Sequence, residues 1–151
     1  ENGVGVILNP APGRPLPDEL LHVVDVLTPN ETEASVISGI EVVDLASAEQ
    51  AARKLVYRGC RTVIVTMGGL GVVIADKCDA EHIPAFKVDV VDTTGAGDAF
   101  SGALAAGLAE GMSMREAARF ACAAAALSVT RIGTSVATAR RDEVDLFLAE
   151  S

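Results

Sequence analysis

At 151 residues the chain has the length of one domain and can bury a real core. Half of its residues are hydrophobic and 22% are charged, an ordinary balance for a globular protein in water. The net charge of −9 argues against any general nucleic-acid or anionic-membrane surface, since both need a basic face.

Aromatic residues make up only 3%, so Ala, Val, Leu and Ile must build the core. Cys60, Cys78 and Cys122 lack the close spacing of a metal ribbon or redox motif, and His22 and His82 stand alone. Free thiols in a reducing cytoplasm are the expectation. No apolar run reaches membrane-spanning length, no signal segment opens the chain, and a first residue of Glu1 suggests a processed or trimmed product.

In chain order, residues 3–8 (GVGVIL) read as a short buried strand ending at the proline-rich loop NPAPGRPLP. Asp18 is placed to cap a short helix over ELLHVV. Residues 26–28 read as a strand stopped by Pro29, with a helix from near Asn30 to about Ser38. From Ser47, apolar residues at Ala48, Ala51, Ala52, Leu55 and Val56 recur at helical spacing, and Gly59 closes that helix. Residues 62–66 and 72–75, joined by MGGLG, predict a hairpin at a sheet edge. Extended pieces come next at 80–83 and 88–91, then helices over 98–110, 113–128 and 142–150. This alternation predicts a single α/β domain over residues 1–151, with a mainly parallel sheet flanked by helices and no repeat or linker.

Four suspicious segments directly follow strands: NPAP, TPNETEA, TMGGLG and DTTGAGD. Parallel strands would gather all four at one sheet edge, where open α/β sheets bind ligands. The last segment sets glycines at a helix start, which suits an anion, beside the carboxylate of Asp98. GAGDAF is not a dinucleotide fingerprint, because Phe100 stands where the third glycine belongs. It is not a Walker loop either, having no Lys followed by Ser or Thr. Two readings remain. In one, the glycines permit a tight bend and Asp98 complements the helix dipole. In the other, backbone N–H groups of residues 95–98 stabilise a transferring phosphoryl group while Asp98 takes a proton from the attacking hydroxyl.

VDTTGAGDAFSGAL resembles the C-terminal signature of the phosphofructokinase-B-type carbohydrate kinases, the ribokinase family. NPAP, LPDELL, TPNETEA and FACAAAALSVTRIG extend the similarity from about Asn9 to the C-terminal helix. The resemblance implies a three-layer ribokinase-like fold and ATP-dependent phosphorylation of a sugar's primary hydroxyl, with ribose to ribose 5-phosphate favoured. It also implies that the N-terminal sugar-binding half and its lid are missing, so that this chain alone loses most or all turnover. A catalytically silent nucleotide-binding or structural piece is the alternative.

By the same similarity Asp98 is the base, and Gly95, Ala96 and Gly97 form the anion hole. Asn30 and Glu33 match the pair near the phosphates and the waters of Mg²⁺, although Asn30 followed three residues later by Glu also fits simple helix capping. Thr66, Gly68 and Gly71 match the nucleotide-binding turn, where glycine equally shapes a hairpin. Cys122 falls near the adenine, though a Cys among alanines is also a small packed residue. Asp92, Thr94, Ser128, Arg131 and Gly133 match positions that hold K⁺, several through backbone carbonyls. The loop departs from the family after Gly133, reading TSVATAR without the usual Gln or Pro, with Ala137 where Ser is expected. The implied partners are ATP and a small sugar, with no nucleic acid or membrane, and an exposed sheet edge suggests a homo-oligomer.

Overall fold

The computed structural model describes residues 4–133 and 139–151. The chain divides into two compact units, Glu1–Ile83 and Pro84–Ser151.

The first unit is built on a five-stranded sheet in the order β1 (Ile7–Leu8), β2 (Val26–Leu27), β3 (Thr62–Thr66), β4 (Val72–Asp76) and β5 (Ala80–Ile83). The ladders β1–β2 and β2–β3 are parallel, and β3–β4 and β4–β5 are antiparallel, so the sheet is mixed. The predicted hairpin is present with Thr66 opposite Val72. Four of five positions in both β3 and β4 are buried, which matches their unbroken β-branched runs.

Three helices accompany this sheet: α1 (Asp18–Leu21), α2 (Glu31–Ser38) and α3 (Leu45–Tyr57). α2 starts at Asn30 and ends at Gly39, whose φ of 71° suits the left-handed cap that glycine adopts without a Cβ penalty. α3 begins at Asp44, not Ser47. The Asp44 side chain accepts the Ser47 N–H at 2.7 Å, so Ser47 is the third helical residue and answers the cap. Asp18 is likewise the first residue of α1 and not its cap, a place taken by Pro17. The apolar face of α3 (Ala48, Ala51, Ala52, Leu55, Val56) is buried with Leu21, Leu27, Val63 and Val65 in one core. Burying a side chain such as Leu55 contributes about 1.5–3 kcal/mol.

The second unit is helical: α4 (Ala96–Ala109), α5 (Met114–Val129) and α6 (Arg141–Glu150). Among the described residues the extended piece expected at 88–91 pairs with no strand; instead the N–H groups of Val91 and Asp92 both donate to the Val129 carbonyl, at 2.7 and 3.1 Å. α5 opens with a capping box in which Ser113 and Glu116 satisfy each other. α4 and α5 pack through small residues. A Cβ on Gly107 would lie 3.2 Å from the Ala117 Cβ, so the close approach depends on glycine. Phe147 of α6 meets Phe86 edge-on at 5.1 Å, and the Arg141 guanidinium lies 4.8 Å above the Phe120 ring.

Candidate active site

In the first unit the carboxyl ends of β1, β2 and β3 reach one sheet edge, because these three strands are parallel. The chain leaving β2 stays in register there: Thr28 N–H donates to the Leu8 carbonyl at 2.9 Å, and Thr66 N–H donates to the Pro29 carbonyl at 2.9 Å. Asn30 forms a parallel bridge to Thr66. The segments NPAP, TPNETEA and TMGGLG therefore share this edge, as their positions after strands predict. DTTGAGD follows no strand and belongs to the second unit.

At this edge Asn30 Oδ1 accepts the Glu33 N–H, and Glu33 Oε2 accepts the Asn30 N–H, both at 2.9 Å. Glu33 is only 7% exposed. The box uses one carboxylate oxygen of Glu33, so capping and a second role at Oε1 are compatible. Next to it, Gly68–Leu70 forms a 3-10 turn closed by Met67 N–H donating to the Gly71 carbonyl at 2.8 Å. Gly68 and Gly71 have φ of +50° and +98°, a region that favours glycine. A Cβ at Gly69 would meet nothing within 4 Å, so the turn presents open backbone.

In the second unit Gly95 caps α4 with φ of +79° and no capping side chain. Ala96 N–H donates to the Thr93 carbonyl and Ala99 N–H to the Gly95 carbonyl. Between them, the N–H groups of Gly97 and Asp98 have no acceptor among the described residues. A Cβ at Gly97 would meet nothing within 4 Å. Asp98, the expected first residue of this helix, is exposed as its third, because α4 starts two residues earlier at Ala96. Gly95 and Asp98 border a groove of about 520 Å³ whose other walls include Phe120, Ala124, Arg141 and Val144.

The predicted cation positions lie on two loops that meet. Asp92 Oδ1 accepts the Thr94 N–H at 2.9 Å and Oδ2 accepts the Gly133 N–H at 3.4 Å. The Thr94 hydroxyl, the Thr94 N–H and the Gly133 N–H together hold the Asp92 carboxyl below its usual range. Ser128 Oγ donates to the Ala125 carbonyl, and Arg131 pairs with Glu143 at 2.6 Å, so their side chains serve the helix ends. Ala137 and the altered TSVAT stretch lie outside the described residues. Cys122 is buried, and burial pushes its thiol up to about 12, which removes it as a nucleophile at neutral pH.

Among the described residues no group of three His, Cys, Asp or Glu side chains could hold a metal by itself. Mg²⁺ needs no such cluster, because it keeps several waters and binds through one or two oxygens plus phosphates. Sequence reasoning missed His82, Arg141 and Glu143. His82 reaches the turn through strand pairing, and the other two act through α6, so no local motif marked them.

Parallel strands whose carboxyl ends share one edge, with helices beside them, define an α/β protein of the kind that binds ligands at such edges. The chain belongs to the pfkB family of carbohydrate kinases, whose sequence pattern matches residues 1–140. It is 46% identical over 148 residues to a ribokinase of Haemophilus influenzae, covering 98% of this chain and 48% of that protein. Ribokinase from Thermotoga maritima superposes with a TM-score of 0.89 at 42% identity, over 97% of this chain and 50% of that one. Arabidopsis thaliana ribokinase complexed with ribose and ATP gives a TM-score of 0.92 at 37% identity, over 99% of this chain and 49% of that one. The fold is therefore ribokinase-like, and the chain spans about half the length of the curated relatives it matches.

Proposed function

We propose that this chain carries the nucleotide-handling and proton-accepting portion of an ATP-dependent sugar kinase, a transferase that converts ribose to ribose 5-phosphate. The observation that carries the reading is the start of α4, where Asp98 stands beside the open backbone of Gly97 and two amides that have no acceptor among the described residues. Family membership and the Arabidopsis complex with ribose and ATP support the choice of substrates.

In this reading Asp98 accepts the proton of the primary hydroxyl as its oxygen bonds to the γ-phosphorus, and the bond from that phosphorus to ADP breaks. The amides of Gly95, Gly97 and Asp98 stabilise the charge on the phosphoryl oxygens, while Ala96, expected as a fourth donor, commits its N–H to the Thr93 carbonyl and shapes the bend. Asn30 and Glu33 would hold the phosphates and the waters of Mg²⁺, which would supply positive charge to offset that of the phosphates. Thr66, Gly68 and Gly71 receive the nucleotide, and Cys122 matches the family's adenine position by resemblance. Asp92 and Thr94, with the carbonyls of Ser128, Arg131 and Gly133, are the oxygen donors for K⁺. Three cysteines without disulfides suit a reducing cytoplasm.

The test is ATP-dependent phosphorylation of ribose by the complete gene product and its Asp98→Asn variant. Loss of about 10²–10⁴-fold in kcat is the expected cost of removing a general base. An unchanged rate would sink the role given to Asp98.

A second reading rests on the chain spanning 48% of its H. influenzae relative. In it, the 151-residue chain alone binds nucleotide or only packs, without turnover. Calorimetry of this chain with ATP and Mg²⁺ separates the two forms. β1 is an edge strand of its sheet, with Val6 preceding it 44% exposed, and we include self-association through that edge. Light scattering that shows a monomer at all concentrations would exclude it.

A further inference from the structure

His82 lies on the edge strand β5, opposite Val73 of β4. Its ring Nε2 lies 2.7 Å from the carbonyl oxygen of Leu70. A carbonyl oxygen only accepts, so Nε2 carries the hydrogen and donates it. Leu70 is the last residue of the 3-10 turn that begins at Gly68. The turn's own bonds, from Met67 N–H to Gly71 and from Leu70 N–H to Met67, leave the Leu70 carbonyl for this outside donor.

The register makes the contact specific. β4 starts at Val72, opposite Ile83, so the C-terminal end of β5 lies at the edge where the turn sits. On its other flank the turn faces α2: a Cβ at Gly68 would lie 3.8 Å from Glu31 Oε1. Two left-handed glycines and an uncrowded third make the turn's backbone intrinsically loose, since glycine loses the most conformational freedom on ordering. A hydrogen bond from a paired strand removes part of that freedom before any ligand arrives, and pre-organisation of this kind lowers the ordering cost of binding.

We propose that His82 is a positioning residue, which fixes the Gly68–Gly71 turn in its nucleotide-receiving shape through the Leu70 carbonyl. This rests on the reading that the turn receives ATP. It gives a residue outside every recognised motif a defined task. His82→Phe keeps a ring and removes the donor; His82→Gln keeps an N–H donor at similar reach.

Two readouts decide the matter. In the chain without nucleotide, amide hydrogen exchange at residues 68–71 is expected to accelerate about two- to ten-fold in His82→Phe and to return toward the original rate in His82→Gln. In the complete gene product, His82→Phe is expected to raise KM for ATP by a similar factor with kcat within two-fold, and His82→Gln to restore it. Unchanged exchange in His82→Phe, or a Gln variant that behaves like Phe in both assays, overturns the proposal. Faster exchange with an unchanged KM for ATP overturns the positioning role while leaving the kinase reading intact. Failure of the unaltered complete protein to bind ATP overturns the kinase reading itself, and the nucleotide role of His82 with it.

Discussion

Arg58 Nη2 donates to the carbonyl of Leu16 at 2.7 Å, joining the end of α3 to the proline-rich loop after β1. The same guanidinium donates from Nη1 to the Ile37 carbonyl of α2 at 2.6 Å and from Nε to Asp18 Oδ1 of α1 at 2.8 Å. One planar donor set thus ties together three segments that lead to or from the sheet edge. Truncation in Arg58→Ala leaves two carbonyls without their partner, and about 2–3 kcal/mol of stability is expected to be lost. Arg58→Lys cannot reproduce the fork and is expected to recover less than half. Urea denaturation of the three proteins measures both.

Gly97 offers a way to separate folding from chemistry. Its φ is not left-handed and an added Cβ has no neighbour, so Gly97→Ala is expected to stabilise α4 by about 0.5–1 kcal/mol. The same methyl would stand where the phosphoryl group approaches the backbone. A higher melting temperature combined with weaker phosphoryl transfer by the complete protein is the expected pair. A variant equally stabilised and equally active would remove the anion-hole role of this glycine.

Acid stability depends on carboxylates at turns and helix starts. Ser113 holds Glu116 below its ordinary value through its hydroxyl and then its N–H, and Ser47 does the same for Asp44. A group with a depressed folded pKa contributes stability that is complete above its unfolded pKa, about 4, and fades as pH falls through the folded value. Ser113→Ala is therefore expected to be less stable than the native chain at pH 7, by a margin that shrinks as pH falls toward 2 and leaves there only the cost of the lost cap bond from the Glu116 N–H. Thermal melts across pH 2–7 track the convergence. A constant difference would show that packing, not proton linkage, governs the cap.

The thiols are expected to divide by burial. Burial pushes Cys60 up to about 11 and Cys122 to about 12, whereas Cys78 is exposed. Only the thiolate reacts with disulfide reagents. At pH 8 the native chain is expected to release one equivalent quickly, and denaturant to expose the other two. Rapid reaction of all three would contradict the buried placement of α5 and of the β3 approach.

Much of the fold is legible in the sequence where the physics is local. Asn30 and Glu33 are three apart, and that spacing alone sets the box that starts α2. Gly95, with φ of +79°, marks the bend before α4 because few other residues tolerate that conformation. Residues 88–91 alternate as a strand does, yet alternation makes a strand only where a neighbour offers a ladder, and here the Val129 carbonyl takes the amides of Val91 and Asp92. Asp18 stands where a cap is expected, but its carboxylate is engaged by Arg58, forty positions away, a contact no local rule registers. His82 is illegible for the same reason: its meaning depends on the β4–β5 register.

The mixed sheet also fixes an order of assembly. β3, β4 and β5 succeed one another through short turns and can zip together within microseconds of meeting, as hairpins do. β1 and β2 come first along the chain but pair only in parallel ladders, so their pairing waits for long crossovers to close. A ribosome therefore releases β1 and β2 before β3, on which β2 pairs, has emerged. In this half of the fold, the hairpin made later is the template on which the earlier strands settle.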